Sequence, residues 1–170
     1  MAPLLVVVGA PGSGKTTVGL AVADILDVGF RDTDVDIETA VGRSIPDQFV
    51  EDGEPVFRQR EEEAVATALT EHGGVLSLGG GAVLSARTRA LLADQRVLWL
   101  RVSAGEASNR VGMGVSRPVL LGNVRSRLVA LLSERTPLYE EVATRAVDTD
   151  GRGVDDIAAE VVEWLRGVPT

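Results

Sequence analysis

Gly9-Ala10-Pro11-Gly12-Ser13-Gly14-Lys15-Thr16 decides how this 170-residue chain folds. The eight residues match Gly-x-x-x-x-Gly-Lys-[Ser/Thr], a spacing that lets a loop close around phosphate oxygens. Lys15 is the only lysine in the chain; every other strong base is arginine. Upstream, Leu4-Leu5-Val6-Val7-Val8 is the apolar, β-branched run of a buried parallel strand. Downstream, Val18, Val22, Ile25 and Leu26 recur at helical spacing. Strand, glycine loop and helix follow one another, which is the context the motif requires. Gly9, Gly12 and Gly14 permit a tight turn with inward N–H groups. The helix start adds its dipole and unpaired amides. Lys15 can then reach the β- and γ-phosphates as a mobile charge, and the Thr16 hydroxyl can ligate Mg²⁺.

Composition narrows the class. A chain of this length can bury a full core in one domain. Apolar residues make up 45% and charged residues 25%, as in soluble globular proteins. With no cysteine there is neither a disulfide framework nor a thiolate nucleophile or metal site. No apolar stretch approaches spanning length, and the N-terminus runs into a core strand rather than a signal region, so a cytoplasmic protein without membrane contact is expected. The net charge of −8 argues against an extended nucleic-acid surface. Anionic ligands then require local focusing by Lys15 and a few arginines in one cleft. His72, ahead of Gly73-Gly74, reads as a helix C-terminal residue rather than a catalyst.

Apolar runs and breakers alternate in a βα rhythm. Strands are predicted over Leu4–Val8, Gly29–Asp32, Val75–Leu78, Val97–Val102 and Arg145–Asp148. Helices are predicted over Lys15–Leu26, Val35–Val41, Ile45–Glu51, Glu54–Glu71, Ala86–Ala93, Gly105–Arg110, Val124–Val142 and Val154–Leu165. The pattern implies an α/β fold, a parallel sheet with helices on both faces. Two segments interrupt it. Thr33 to Val56 holds short helical pieces after the second strand. Val111 to Asn123 is a glycine-bearing stretch with Arg110 and Arg117 at hand. Beyond the carboxyl ends of the strands, these suit a substrate pocket and a lid.

Several clusters bear on the substrate. Asp32-Thr33-Asp34 places two carboxylates on one side if the chain stays extended, one for Mg²⁺ through water and one for a substrate hydroxyl. It reads equally well as a helix start capped by Thr33 or Asp34. Arg58 and Glu61 lie one helical turn apart and can pair, fixing a guanidinium for a carboxylate; Glu61-Glu62-Glu63 by itself suggests a solvated face. Gly79-Gly80-Gly81 ends the third strand with backbone N–H groups open to a ligand. Arg135-Thr136-Pro137-Leu138-Tyr139 adds an arginine late in a helix.

The glycine loop, Asp32-Thr33-Asp34, Gly42-Arg43-Ser44-Ile45, Phe57-Arg58-x-x-Glu61, Gly79-Gly80-Gly81, Arg117-Pro118 and Arg135-x-Pro-Leu-Tyr139 together resemble the shikimate kinases. The likeness runs in the family's order from Val6 to about Asp150. It implies a nucleoside-monophosphate-kinase-like P-loop kinase fold: a five-stranded parallel sheet flanked by helices, with an inserted substrate-binding region and a lid. One kinase domain would cover residues 1–170, with the substrate-binding region at 33–60 and the lid at 111–123.

The implied activity is transfer of the γ-phosphate of ATP, with Mg²⁺, to the 3-hydroxyl of shikimate. By the same resemblance Lys15, Asp34 and Arg117 are catalytic, Asp34 as base or orienting group. Gly12, Ser13, Gly14, Lys15, Thr16, Thr17, Arg110 and Arg117 would bind the nucleotide, Arg110 beside the adenine. Arg58 and Arg135 would hold the shikimate carboxylate, Gly80 and Gly81 would donate from the backbone, and Phe49 and Phe57 would wall the pocket. Thr16 and Asp32 match the Mg²⁺ shell. A monomer with ATP and shikimate as its partners is expected. Two other readings compete: a kinase of another hydroxy acid such as gluconate, and a nucleotide-binding module without catalysis. The Phe-Arg, triple-glycine and Arg-x-Pro-Leu-Tyr set speaks against the first. The presence of Lys15, Asp34 and Arg117 together speaks against the second.

Overall fold

Strand β1 (Leu5–Val8) has every side chain buried, because both faces of the sheet it belongs to are covered. Alternate residues serve opposite layers: Val6 and Val8 pack with one apolar cluster, Leu5 and Val7 with the other. The computed structural model describes residues 1–112 and 120–167. Among these, β2 (Phe30–Asp32), β3 (Val75–Ser77), β4 (Val97–Arg101) and β5 (Arg145–Asp148) join β1 in a parallel sheet of order β2-β3-β1-β4-β5.

The helices are α1 (Lys15–Leu26), α2 (Thr33–Val41), α3 (Ile45–Asp52), α4 (Glu54–Glu71), α5 (Ala86–Leu92), α6 (Ala104–Gly112), α7 (Leu120–Val142) and α8 (Val154–Gly167). One layer takes α1 and α8, whose Val18, Val22, Ile157 and Val161 meet Leu5, Val7, Leu98 and Leu100. The other takes α4, α5 and α7, whose Val65, Leu69, Leu92 and Tyr139 meet Val6, Leu76, Leu78 and Trp99. The α/β expectation of a five-stranded parallel sheet holds, and α1 and α4 have the expected bounds. His72 caps α4, and its Nε2 lies 3.1 Å from Val75 O, a structural role as expected.

Strand order positions the site. β1 and β3 are neighbours, with Val7 beside Ser77, so the loops leaving their carboxyl ends adjoin. A Cβ on Gly80 would stand 3.1 Å from Pro11 Cδ, which shows how closely the two glycine loops meet. β2 lies on the other side of β3, with Asp32 opposite Ser77, and delivers the start of α2 to the same edge. That edge is where ligands bind in open α/β sheets.

Candidate active site

The first glycine loop presents an uncapped helix end. Gly12 (φ 79°) and Gly14 (φ 90°) take the left-handed conformation, which L side chains rarely adopt. Gly14 is the N-cap of α1 and offers no side-chain acceptor to the first amides. Those donors and the helix dipole favour an anion. Thr16 and Thr17 are exposed, whereas Ser13 is buried, its N–H donating to Ala10 O at 3.1 Å. Lys15 Nζ bends back to Gly9 O (2.8 Å) and Ala10 O (3.1 Å), which satisfies the ammonium within the loop. Burial lowers its pKa to about 8, while the nearby Asp34 and Asp32 carboxylates pull it the other way. Arg110, on α6, ties the loop down from above: Nη1 donates to Gly12 O (2.9 Å) and Nη2 to Thr149 O (3.3 Å).

The Asp-x-Asp segment resolves into one cap and one free acid. The chain is not extended through it, since α2 begins at Thr33. Neither Thr33 nor Asp34 caps that helix. Asp32, the last residue of β2, is the N-cap, and its Oδ1 accepts the Asp34 N–H at 2.8 Å. Asp34 sits in the first turn and keeps its carboxylate for the cavity. Burial raises its pKa to about 6, helped by the charges of Asp32 and Glu61 and opposed by Lys15. Burial likewise raises the Asp32 carboxyl, against its bond from the Asp34 amide and the charge of Lys15.

Beside Asp34 opens a cavity of about 140 Å³, lined by residues of α3, α4, α7 and both glycine loops. Phe49 and Phe57 form an apolar wall, their ring centroids 4.7 Å apart, and the Arg58 guanidinium lies 5.6 and 5.4 Å from them. Arg58 Nη1 donates to Glu61 Oε1 at 2.7 Å, the one-turn pairing expected. Glu61 is buried, in the same stripe as Phe57, Val65 and Ala68. Burial raises its carboxyl, with Arg58 working against it. Gly81 lies under Arg58, where a Cβ would approach the guanidinium Cζ to 2.5 Å. The Gly80 and Gly81 amides meet no backbone acceptor among the described residues. Arg135 closes the cavity, and its buried Nε has no hydrogen-bond partner there. One turn on, the fully buried Tyr139 donates its hydroxyl to Gly80 O at 2.6 Å and braces the triple glycine.

The geometry therefore gathers a phosphate loop, one free carboxylate, two guanidiniums, open amides and an apolar wall at one edge of the sheet. A family model of shikimate kinase matches residues 11–166. The chain belongs to the shikimate kinase family. Among the proteins it resembles is a shikimate kinase of Saccharopolyspora erythraea, 55% identical over 96% of this chain and 94% of that one. Among solved structures, a shikimate kinase from Acinetobacter baumannii in complex with shikimate superposes with a TM-score of 0.89 at 33% identity, covering 98% of this chain and 93% of that one. A gluconokinase from Sinorhizobium meliloti reaches 0.60 at 20% identity, over 95% and 90% of the two chains, and that likeness shows the fold alone.

Of the residues singled out for this family, Asp34, Arg58, Gly80, Gly81, Arg135, Phe49 and Phe57 all line the one cavity. Lys15 and Thr16 belong to the adjoining loop and α1. Arg110 grips that loop. Arg117 and most of the 111–123 segment lie outside the described residues. Two contributors escaped sequence reasoning. Glu61 was legible as the partner of Arg58 but not as a buried neighbour of Asp34; the signal was its place between Phe57 and Val65 in the apolar stripe. Tyr139 carried no visible role, and nothing in its spacing points to Gly80. A larger cavity of about 500 Å³ lies between α2 and α4. Its Arg31 pairs with Asp36 at 2.7 Å, and its Arg60 with Asp52 at 2.7 Å.

Proposed function

We propose that this chain transfers the γ-phosphoryl group of ATP to the 3-hydroxyl of shikimate, forming shikimate 3-phosphate, and that the residues gathered at the sheet edge carry the reaction. The observation that supports it best is the opposition inside one cavity: Arg58 and Arg135 for a carboxylate, Asp34 for a hydroxyl, and Lys15 beside Asp34. A small acid bearing hydroxyls needs that polarity. Phosphoryl transfer asks the protein for alignment and charge neutralisation more than for covalent chemistry.

In this reading Arg58, held by Glu61, and Arg135 grip the shikimate carboxylate, with the Gly80 and Gly81 amides donating to the ring oxygens. Phe49 and Phe57 exclude water from the ring. Asp34 accepts a hydrogen bond from the reacting hydroxyl and orients it; with a pKa near 6 it is ionised at neutral pH and can take the proton. Lys15 leaves the Gly9 and Ala10 carbonyls for the β- and γ-phosphates as ATP enters. Gly12, Ser13, Gly14, Thr16 and Thr17 hold the phosphates through the loop and helix start, and Arg110 stands beside the base. Residues 33–60 form the substrate-binding region and 111–123 the lid, with Arg117 reaching the transferring group.

Mg²⁺ fits the residues present. Among the described residues no group of three acidic, histidine or cysteine side chains forms a cage. Mg²⁺ needs none, since it keeps waters and binds through one or two protein oxygens and the phosphates. The hydroxyl of the exposed Thr16 and the Asp32 carboxylate, the latter through water, would hold it. Bound there, it would neutralise the phosphate charge. No helix among the described residues is long and apolar enough to cross a membrane.

The test is ADP release from Mg·ATP with shikimate or gluconate as acceptor. Strong stimulation by shikimate alone is expected. Stimulation by gluconate alone would overturn the cavity assignment, and silence with both would overturn the activity.

A further inference from the structure

Gln48 has no exposed surface, although it sits on a short helix whose Asp47 and Val50 face solvent. A buried amide must find its partners inside the protein. Gln48 Nε2 donates to Arg43 O at 3.0 Å, and Oε1 accepts from Arg60 Nη1 at 3.1 Å. The same Arg60 nitrogen donates to Asp52 Oδ2 at 2.7 Å, and Arg43 Nη2 donates to that oxygen at 2.6 Å. The four residues close a ring joining the α2–α3 loop, α3 and α4.

We propose that Gln48 and Arg60 are positioning residues for the acceptor cavity: the Gln48–Arg60–Asp52–Arg43 ring fixes α3 on α4 and so sets where Ile45 and Phe49 stand relative to Arg58. The inference rests on the reading that this cavity takes shikimate.

Three features carry it. First, α3 and α4 are joined through Gly53 alone, at φ 84°, and a single glycine does not by itself set the angle between two helices. Second, Arg58 and Arg60 are two residues apart on α4, about 200° around the helix. One turns to the cavity and the other to α3, so the same helix that presents the carboxylate-binding guanidinium also anchors the opposite wall. Third, Ile45 and Phe49 line the cavity and Gln48 directly precedes Phe49, so a slip of α3 moves that wall. Gln48 is the buried member of a ring whose charged members are partly exposed, and a buried amide held at both ends specifies one arrangement more sharply than apolar contact does.

The test is steady-state kinetics of wild type, Gln48→Leu, Arg60→Met and Arg60→Lys, varying shikimate and ATP separately, with thermal midpoints alongside. Gln48→Leu and Arg60→Met should raise the shikimate KM roughly fivefold to tenfold, with kcat and the ATP KM held within about twofold, because acceptor binding is lost equally in the ground and transition states. Arg60→Lys should recover most of the loss, since one nitrogen of Arg60 makes both bonds and an ammonium can do the same. The double variant Gln48→Leu/Arg60→Met should be no worse than either single one, as expected for partners in one network. Unchanged shikimate KM would overturn the proposal. So would a parallel loss for both substrates with a lowered midpoint, or an Arg60→Lys variant as impaired as Arg60→Met. Failure of the underlying reading is visible separately, as absence of shikimate-dependent turnover in the wild type.

Discussion

Asp34 and Glu61 face each other across Gly79. A Cβ at that glycine would lie 2.5 Å from Asp34 Oδ1 and 2.8 Å from Glu61 Oε2, so only a hydrogen separates the backbone from two carboxylates. Glu61 is matched by Arg58. Asp34 is left as the acid without an arginine of its own, and after burial and Asp32 the charge of Glu61 is what raises it. One glutamate thus aims a guanidinium and tunes a neighbouring carboxylate.

That double role gives a two-part expectation for Glu61→Gln. Activity needs Asp34 ionised, so kcat/KM for shikimate in the wild type should fall as pH drops through about 6. Removing the Glu61 charge lowers the Asp34 pKa, so the acid limb should move to lower pH. The shikimate KM should rise as well, because Arg58 loses its fixed partner. A limb that stays in place would mean that Glu61 does not act on Asp34.

Asp34 should also cost the free protein stability. Its pKa rises from 3.8 to about 6 on folding, so the folded state prefers the neutral acid. The penalty is absent below the unfolded value, grows as pH rises between the two, and is complete above about 6. Asp34→Asn should therefore raise the thermal midpoint at neutral pH, with the gain fading in acid. A lower midpoint at neutral pH would contradict this.

Gly81 has an ordinary φ of −95°, so alanine there meets no backbone strain. Its methyl would instead enter the space of the Arg58 guanidinium, the end of a flexible side chain. Gly81→Ala should fold normally and bind nucleotide, while the shikimate KM rises about tenfold or more as Arg58 is displaced. Equal KM values for variant and wild type would show that Arg58 is not needed where it stands.

Much of this was legible beforehand, and the exceptions share a cause. The bounds of α1 and α4 follow from long apolar periodicities, and the loop motif announces its own strand and helix. The start of α2 was misjudged because Asp32 ends a strand and caps a helix at once, and two-residue alternation turns into helical spacing with no breaker between them. The 3₁₀ turn Ala82–Leu84 was missed because three residues carry no period. The motif residues of the site were readable one by one. What braces them was not: Tyr139 on Gly80 and Gln48 on Arg60 are contacts across 59 and 12 residues, set by packing rather than spacing.

Lys15 links pH to nucleotide affinity. In the free protein its pKa is near 8, and bound phosphates would raise it. Binding of a non-hydrolysable ATP analogue should weaken above about pH 8 and be accompanied there by proton uptake, measured by calorimetry in buffers of different ionisation enthalpy. An affinity that stays flat across that pH would place Lys15 outside the phosphate site.

On the proposed reading one cavity, between Asp34 and the two arginines, holds the acceptor beside the phosphate loop. The most direct measurement is shikimate-dependent ADP release by Asp34→Asn and Arg135→Ala, with binding of the ATP analogue followed in the same preparations. Turnover should fall by about a hundredfold or more in Asp34→Asn and the shikimate KM should rise steeply in Arg135→Ala, with nucleotide affinity largely retained in both. Near-normal shikimate turnover in both variants would contradict that reading.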